Sequence, residues 1–338
     1  MSRRVLITHA DEPVGKRIVK TLFHDIEVDR IHAVGSGRVP RSFDRFLRTS
    51  GGRVSYGRVD LARHRATADL FHSDLMRKAA IDTVLYVPHH APVAQPGLPL
   101  LAGVSERTAE ARLVLQHCLE QPGIRNLVAL GSAFVYRPAP GNANRFTEAS
   151  ALDLDPSVPS EIRAWIDCDM IFHGEIHNEK LRVALLRVPT TVCSGGYVFF
   201  NPALAPSGGL RVRPMGYDPL CTLISDKDVA RAAQLAVRRQ AAGIFNVSGR
   251  EVIPLSELSR WTGGESWGVP GPLLNGAARV IRRLHIHGPS ATLDGPHLRY
   301  GFTLDTRKAE RELGFRPGYR VGLSPAGDGS MKLEAAPI

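Results

Sequence analysis

The sequence predicts an α/β chain, a doubly wound parallel sheet with a smaller C-terminal lobe. Two features carry this. Short, continuous apolar runs such as Val5–Thr8 and Asn126–Ser132 have the length and composition of strands buried on both faces. Longer segments between them repeat apolar residues every three or four positions, the period of a helix with one buried face. Strand and helix alternating through short loops give a parallel sheet covered on both sides.

Taken in order, Val5–Thr8 is the first strand. Pro13–His24 follows as a helix with Val14, Ile18, Val19 and Leu22 on one face. Strands are expected at Ile31–Gly35 and Val54–Val59, the latter leading into Asp60 and Leu61. A helix is expected over Leu70–Ala80, then the strand Thr83–Val87. A long helix, Ser105–Gln121, stops at Pro122-Gly123 and precedes the strand Asn126–Ser132. Arg137–Pro159, rich in Pro, Gly and Asn, reads as a loop over the sheet. A helix over Glu161–Asn178, the strand Arg182–Val188, a helix over Ser225–Arg239, the strand Gly243–Val247 and a small helix over Thr306–Leu313 complete the pattern. The expected division is 1–180 as a Rossmann-like, dinucleotide-binding-type domain and 181–322 as the last sheet strands interleaved with a small substrate-side lobe. Residues 323–338 are expected to be a flexible tail.

The chain has 338 residues and a formal net charge of +10. Its arginines are dispersed, and no basic block or motif points to nucleic acid. No apolar run reaches the roughly 18 to 20 residues of a transmembrane segment. Four scattered cysteines without a CxxC pair fit a reducing, cytoplasmic setting and argue against a zinc finger. Leu273–His287 reads as a basic amphipathic helix, which packs on its own domain or lies on a membrane surface.

The turn after the first strand, T-H-A-D-E-P-V-G (Thr8–Gly15), lies where a Rossmann fold places three glycines. One allows the tight turn, one admits the pyrophosphate to the backbone, and one lets helix and strand pack closely. Gly15 matches the packing glycine, while His9 and Glu12 stand at the other two places. Asp11 and Glu12 are expected to cap the helix themselves, with Pro13 in its first turn. A diphosphate there would meet two carboxylates, each like-charge contact costing about 1 kcal/mol in water and about 4 at a protein surface.

Several stretches together resemble the extended short-chain dehydrogenases/reductases, the NAD-dependent epimerases and dehydratases. They are V-L-I-T-x-A-x-x-x-x-G, V-D-L (Val59–Leu61), L-G-S-A-F-V-Y (Leu130–Tyr136), L-L-R-V-P-T-T-V (Leu185–Val192), I-S-D-K-D-V-A-R-A (Ile224–Ala232), I-F-N-V-S-G (Ile244–Gly249) and D-T-R-K-A-E-R-E-L-G-F-R-P (Asp305–Pro317). The resemblance spans Arg4 to Tyr319. It implies a nicotinamide cofactor, with Asp60 near the adenine and Ser36 and Arg38 where ribose hydroxyl and 2′-phosphate are distinguished. It also implies a dimer through a helix pair. Catalysis in the family needs a Tyr and a Lys four residues on, facing one side of a helix. Trp165 and Asp169 stand at those positions, and only Ser132 matches the third member. V-P-H-H-A-P (Val87–Pro92) adds bulk where the family keeps small residues.

The expectation is therefore a degenerate member, a pseudoenzyme with no nicotinamide cofactor or only weak NAD(P) binding, acting on a protein partner or an anionic small molecule. The alternative is an active NAD(P)-dependent oxidoreductase or epimerase with a relocated acid/base. No metal is expected. Asp169, His173 and His177, spaced four apart, read as a polar helix face, and G-S-A-F around Ser132 lacks a hydrolase elbow.

Overall fold

Val5, Leu6 and Ile7 are fully buried and alternate between two hydrophobic layers. In the computed structural model they lie on an interior strand of a seven-stranded sheet. The structure describes residues 2–89, 104–156, 158, 160–193, 196–198, 211–261, 266–270, 273, 296, 299–325 and 331–338.

The elements run β1 (Arg3–Ile7), α1 (Pro13–Phe23), β2 (Val28–Gly35), α2 (Asp44–Thr49), β3 (Val54–Arg58), α3 (His64–Phe71), α4 (Asp74–Ala79), β4 (Thr83–Tyr86), α5 (Val104–Glu120) and β5 (Asn126–Ser132). They continue with β6 (Arg145–Phe146), α6 (Ser160–His173), β7 (Arg182–Val188), β8 (Thr190–Cys193), β9 (Gly196–Val198), β10 (Arg211–Pro214), β11 (Leu220–Ser225), α7 (Asp226–Arg239) and β12 (Gly243–Asn246). The last are β13 (Val252–Pro254), α8 (Leu255–Trp261), β14 (Ser266–Val269), β15 (Thr303–Leu304), β16 (Tyr319–Pro325) and β17 (Met331–Pro337). The main sheet is parallel throughout, in the order β12-β7-β5-β4-β1-β2-β3. α1 packs on α7 and α5 on α6. The alternating side chains of β1 sort into the two layers, with Val5 and Ile7 joining Val14, Ile18 and Val237, and Leu6 joining Val114 and Phe172. A four-stranded sheet, β13-β11-β8-β9, forms the core of the smaller lobe.

Four expectations need correction. The helix expected over Leu70–Ala80 is two helices, because Ser73 turns extended and its side chain caps the Met76 N–H. α6 ends at His173, so His177 lies beyond it. The loop over the sheet is tied down, since β6 pairs with β15 and Glu148 accepts from the Asn246 N–H. The tail expected to be flexible is strand β17, paired antiparallel with β16 from Tyr319↔Pro337 to Pro325↔Met331. Period-two alternation explains it, since Val321 is buried against the small-lobe core and Ala335 packs beside it. Of the basic segment Leu273–His287, only residue 273 is among the described residues. No helix among the described residues is long and apolar enough to cross a membrane.

Buried His32 on β2 gives this sheet a pH dependence. Its ring is 3 % exposed, its Nδ1 lies 2.9 Å from Ser55 Oγ, and burial pushes its pKa down to about 4. Above pH 6.5 folded and unfolded chains both carry a neutral imidazole. As pH falls toward 4 the unfolded chain takes a proton that the folded chain refuses. Stability should therefore drop by on the order of 3 kcal/mol over that window. Denaturant titrations at a series of pH values should show the fall, and His32→Gln should flatten it. An unchanged pH profile in that variant would remove His32 as the cause.

Candidate functional site

The sheet reverses its winding at β1, which lies between β2 and β4. In a parallel sheet, ligands bind beyond the carboxyl ends of the strands at such a point. Here the turn Thr8–Glu12 after β1 faces Val87–His89 after β4. Thr8 stitches the two together, its hydroxyl donating to Val87 O at 2.9 Å and accepting from Val87 N at 2.8 Å. His9 adopts φ +43°, a left-handed conformation suited to glycine, so the backbone keeps the tight turn while carrying a side chain. Gly15 packs so closely that an added Cβ would lie 2.2 Å from His9 O.

The side chains at the turn form two ion-paired couples, one buried and one partly exposed. Glu110 on α5 accepts from His9 Nε2, and Glu12 Oε1 lies 2.5 Å from His89 Nδ1. The two imidazoles stand 5.4 Å apart between centroids. Burial opposes a charge on His9, yet the hydrogen bond and charge of Glu110, aided by Glu12 and Asp11, hold its pKa above the usual value. For His89 the bond to Glu12 does the same against burial. His9 Nδ1 is buried and makes no hydrogen bond among the described residues. Beside this cluster Arg107 stacks its guanidinium 4.3 Å from the Trp165 ring, and its Nε and Nη1 have no hydrogen-bond acceptor among the described residues. Tyr86, fully buried at the end of β4, has its phenol pushed well up by burial and by Glu110.

The expected self-capping of α1 does not occur. Glu12 is the N-cap residue but its side chain makes no capping bond. Its carboxylate turns to the imidazole of His89, a charge-assisted partner stronger than a backbone N–H. Asp11 reaches across to the loop after β2 and accepts from the Gly37 N–H at 2.7 Å, while Tyr56 donates to Gly37 O at 3.0 Å. A Cβ on Gly35 would meet Asp11 Oδ1 at 2.0 Å, which measures how tightly that carboxylate is seated. Ser36 and Arg38 are exposed on this loop. Asp60 is exposed after β3 and pairs with Arg63 at 3.0 Å.

On the other side of β4, Ser132 is fully buried, and its hydroxyl accepts from the Phe134 N–H at 3.1 Å, capping a short 3-10 turn. Trp165 and Asp169 are buried on α6. Asp169 is clamped by Arg187 of β7 through two bonds of 2.7 and 2.8 Å. Arg187 also donates to the Tyr136 hydroxyl at 2.9 Å, and that hydroxyl donates to Asn246 at 2.6 Å. Burial outweighs Arg187 and pushes the Tyr136 phenol up to about 12.

No protein-family profile matches the chain. Uncharacterized proteins of Mycobacterium tuberculosis and Mycobacterium bovis are 24% identical over 321 residues, 93% of this chain and 80% of theirs. Among solved structures, a dTDP-glucose 4,6-dehydratase of Bacillus anthracis in complex with NAD has a TM-score of 0.63 at 13% identity, covering 94% of this chain and 92% of that one. A UDP-glucose-4-epimerase of Stenotrophomonas maltophila with bound NAD has a TM-score of 0.65 at 17% identity, covering 93% of each. A dTDP-glucose 4,6-dehydratase of Streptomyces venezuelae with NAD bound has a TM-score of 0.64 at 18% identity, covering 96% of this chain and 94% of that one. The fold is that of the extended short-chain dehydrogenases/reductases.

Within this extended short-chain dehydrogenase/reductase fold, the structure brings His9, Glu12 and His89 together at the first turn. Asp169 points away from them, into the Arg187 network. The stripe read as Asp169, His173 and His177 is not a polar face, because Asp169 is buried and paired while His173 and His177 are exposed and α6 stops between them. Sequence reasoning missed Arg107 and Glu110. Their signal was present, since Arg107 and Glu110 fall in helical phase with buried Ala111, Val114 and Cys118, charged residues on a face that should be apolar.

Proposed function

We propose that this chain acts by binding rather than by nicotinamide chemistry, and that its ligand is an anionic small molecule. The observation that carries the reading is the double pair His9–Glu110 and Glu12–His89 at the first turn. Those side chains stand where the fold admits a pyrophosphate to bare backbone, and they bring two carboxylates with them. Asp11 satisfies the Gly37 N–H that a ribose or phosphate oxygen would otherwise approach. The family's proton carrier is replaced by an indole, and the lysine position holds an acid whose charge is already spent on Arg187. An anionic ligand is favoured by Arg107, a buried cation on Trp165 with two N–H groups lacking an acceptor among the described residues.

The similarity to structures solved with NAD favours a second reading, an NAD(P)-dependent oxidoreductase or epimerase on a nucleotide sugar with a relocated acid/base. Calorimetric titration of the purified chain with NAD, NADH, NADP and NADPH separates the two. No saturable heat is expected up to about 1 mM, a bound free energy weaker than about 4 kcal/mol. A micromolar Kd for any of the four would establish the second reading instead.

A further inference from the structure

We propose that His9, Glu12 and His89 form a binding site for a divalent first-row transition ion of the zinc class, built into the turn that the fold ordinarily gives to a diphosphate. One ligand atom from each of the three residues lies within 4.8 Å of the other two. The set is two imidazoles and one carboxylate, the nitrogen-rich mixture such ions prefer over magnesium or calcium. Tetrahedral ligands at about 2.0 to 2.1 Å from zinc stand roughly 3.3 Å apart, so small side-chain rotations close the site.

Two further features point to a ligand. His9 is 5 % exposed, and its Nδ1 is buried without a hydrogen bond among the described residues. A buried ring nitrogen left without a partner is costly, and a metal–nitrogen bond satisfies it. The opposite ring nitrogen, Nε2, is bound by Glu110. A carboxylate on the far nitrogen of a ligating histidine fixes the ring and raises its basicity, the usual outer support of a zinc-bound imidazole. Glu110 thus positions His9 without ligating. His89 and Glu12 already approach to 2.5 Å, and the ion displaces the proton between them. Three protein ligands leave at least one position for water or a small anion. The site goes beyond the proposed function and does not depend on it, because it is read from metal titration and not from nucleotide binding.

The test uses the full chain, stripped with EDTA and titrated with zinc chloride by calorimetry and with cobalt chloride by visible absorption. One ion per chain is expected, with the cobalt spectrum of a nitrogen- and oxygen-ligated tetrahedral centre. His89→Gln and Glu12→Gln should each weaken zinc at least tenfold, and Glu110→Gln by about 10- to 100-fold. His89 is only partly buried, so its replacement leaves the core intact. His72→Gln, at an exposed histidine that packs on buried His117 away from the site, should change nothing. Absence of a one-to-one site below 100 μM free zinc, taking about 100 μM as the weakest binding of interest, would overturn the proposal. So would equal affinity in wild type, His89→Gln and Glu12→Gln, or loss of binding in His72→Gln alone.

Discussion

Asp169→Ala should destabilise the chain by about 3 to 5 kcal/mol. The carboxylate is 1 % exposed and takes both bonds of the Arg187 fork, and Arg187 is fully buried. Removing it strands a guanidinium in the core, with the Tyr136 hydroxyl and Glu148 O as its remaining acceptors among the described residues. The large term is the unpaired charge rather than the lost bond. Asp169→Leu combined with Arg187→Met should therefore recover most of the loss, because it removes both charges. Chemical denaturation of the three proteins measures this. A single variant as stable as wild type, or a double variant no better than the single, would show that the pair is not what holds α6 to β7. The same geometry opposes a cation at this position. A lysine at position 169 would face the guanidinium that now binds the aspartate.

Gly15→Ala should cost about 3 kcal/mol or more, at the upper end of overpacking. The new methyl group would sit 2.2 Å from His9 O and 2.8 Å from Ala10 Cα. Both are backbone atoms of the turn and neither can rotate away. α1 would have to lift from β1, loosening Val14 and Ile18 from the core. Thermal unfolding should show a large drop in Tm. A change within about 0.5 kcal/mol, the ordinary range for surface substitutions, would mean that the turn is slack and its side chains are free to rearrange.

Much of the sheet was legible because buried parallel strands announce themselves as unbroken apolar runs. Asn126–Ser132 and Arg182–Val188 begin and end where expected. The smaller lobe was expected, but its strands and their pairing were not legible. β8, β11 and β13 are short and find partners far along the chain, so local pattern carries little of their pairing. The C-terminal hairpin left a readable trace in Val321, Leu323, Leu333 and Ala335, a period of two that the polar residues between them obscured. At the site, comparison with the glycine pattern of a Rossmann turn singled out His9, Glu12 and Gly15, and all three lie at the turn between β1 and α1. It did not reveal where their side chains go. Glu110 meets His9 across 101 residues, and Arg187 meets Asp169 across 18. Those meetings depend on which face of a helix turns toward which strand end. The charges of Asp11 and Glu12 were read correctly as acidic, but their partners are a loop amide and an imidazole instead of the helix end.

The turn after β1 decides the account. Crystals of the chain soaked in millimolar NADPH test it most directly, since they report both the cleft and its occupant. The expected result is a crevice still filled by His9, Glu12, His89 and Glu110, with Asp11 on the Gly37 amide and no nucleotide between β1 and β4. A dinucleotide lying across that turn, its diphosphate on the α1 N-terminus and the two histidines swung aside, would contradict it.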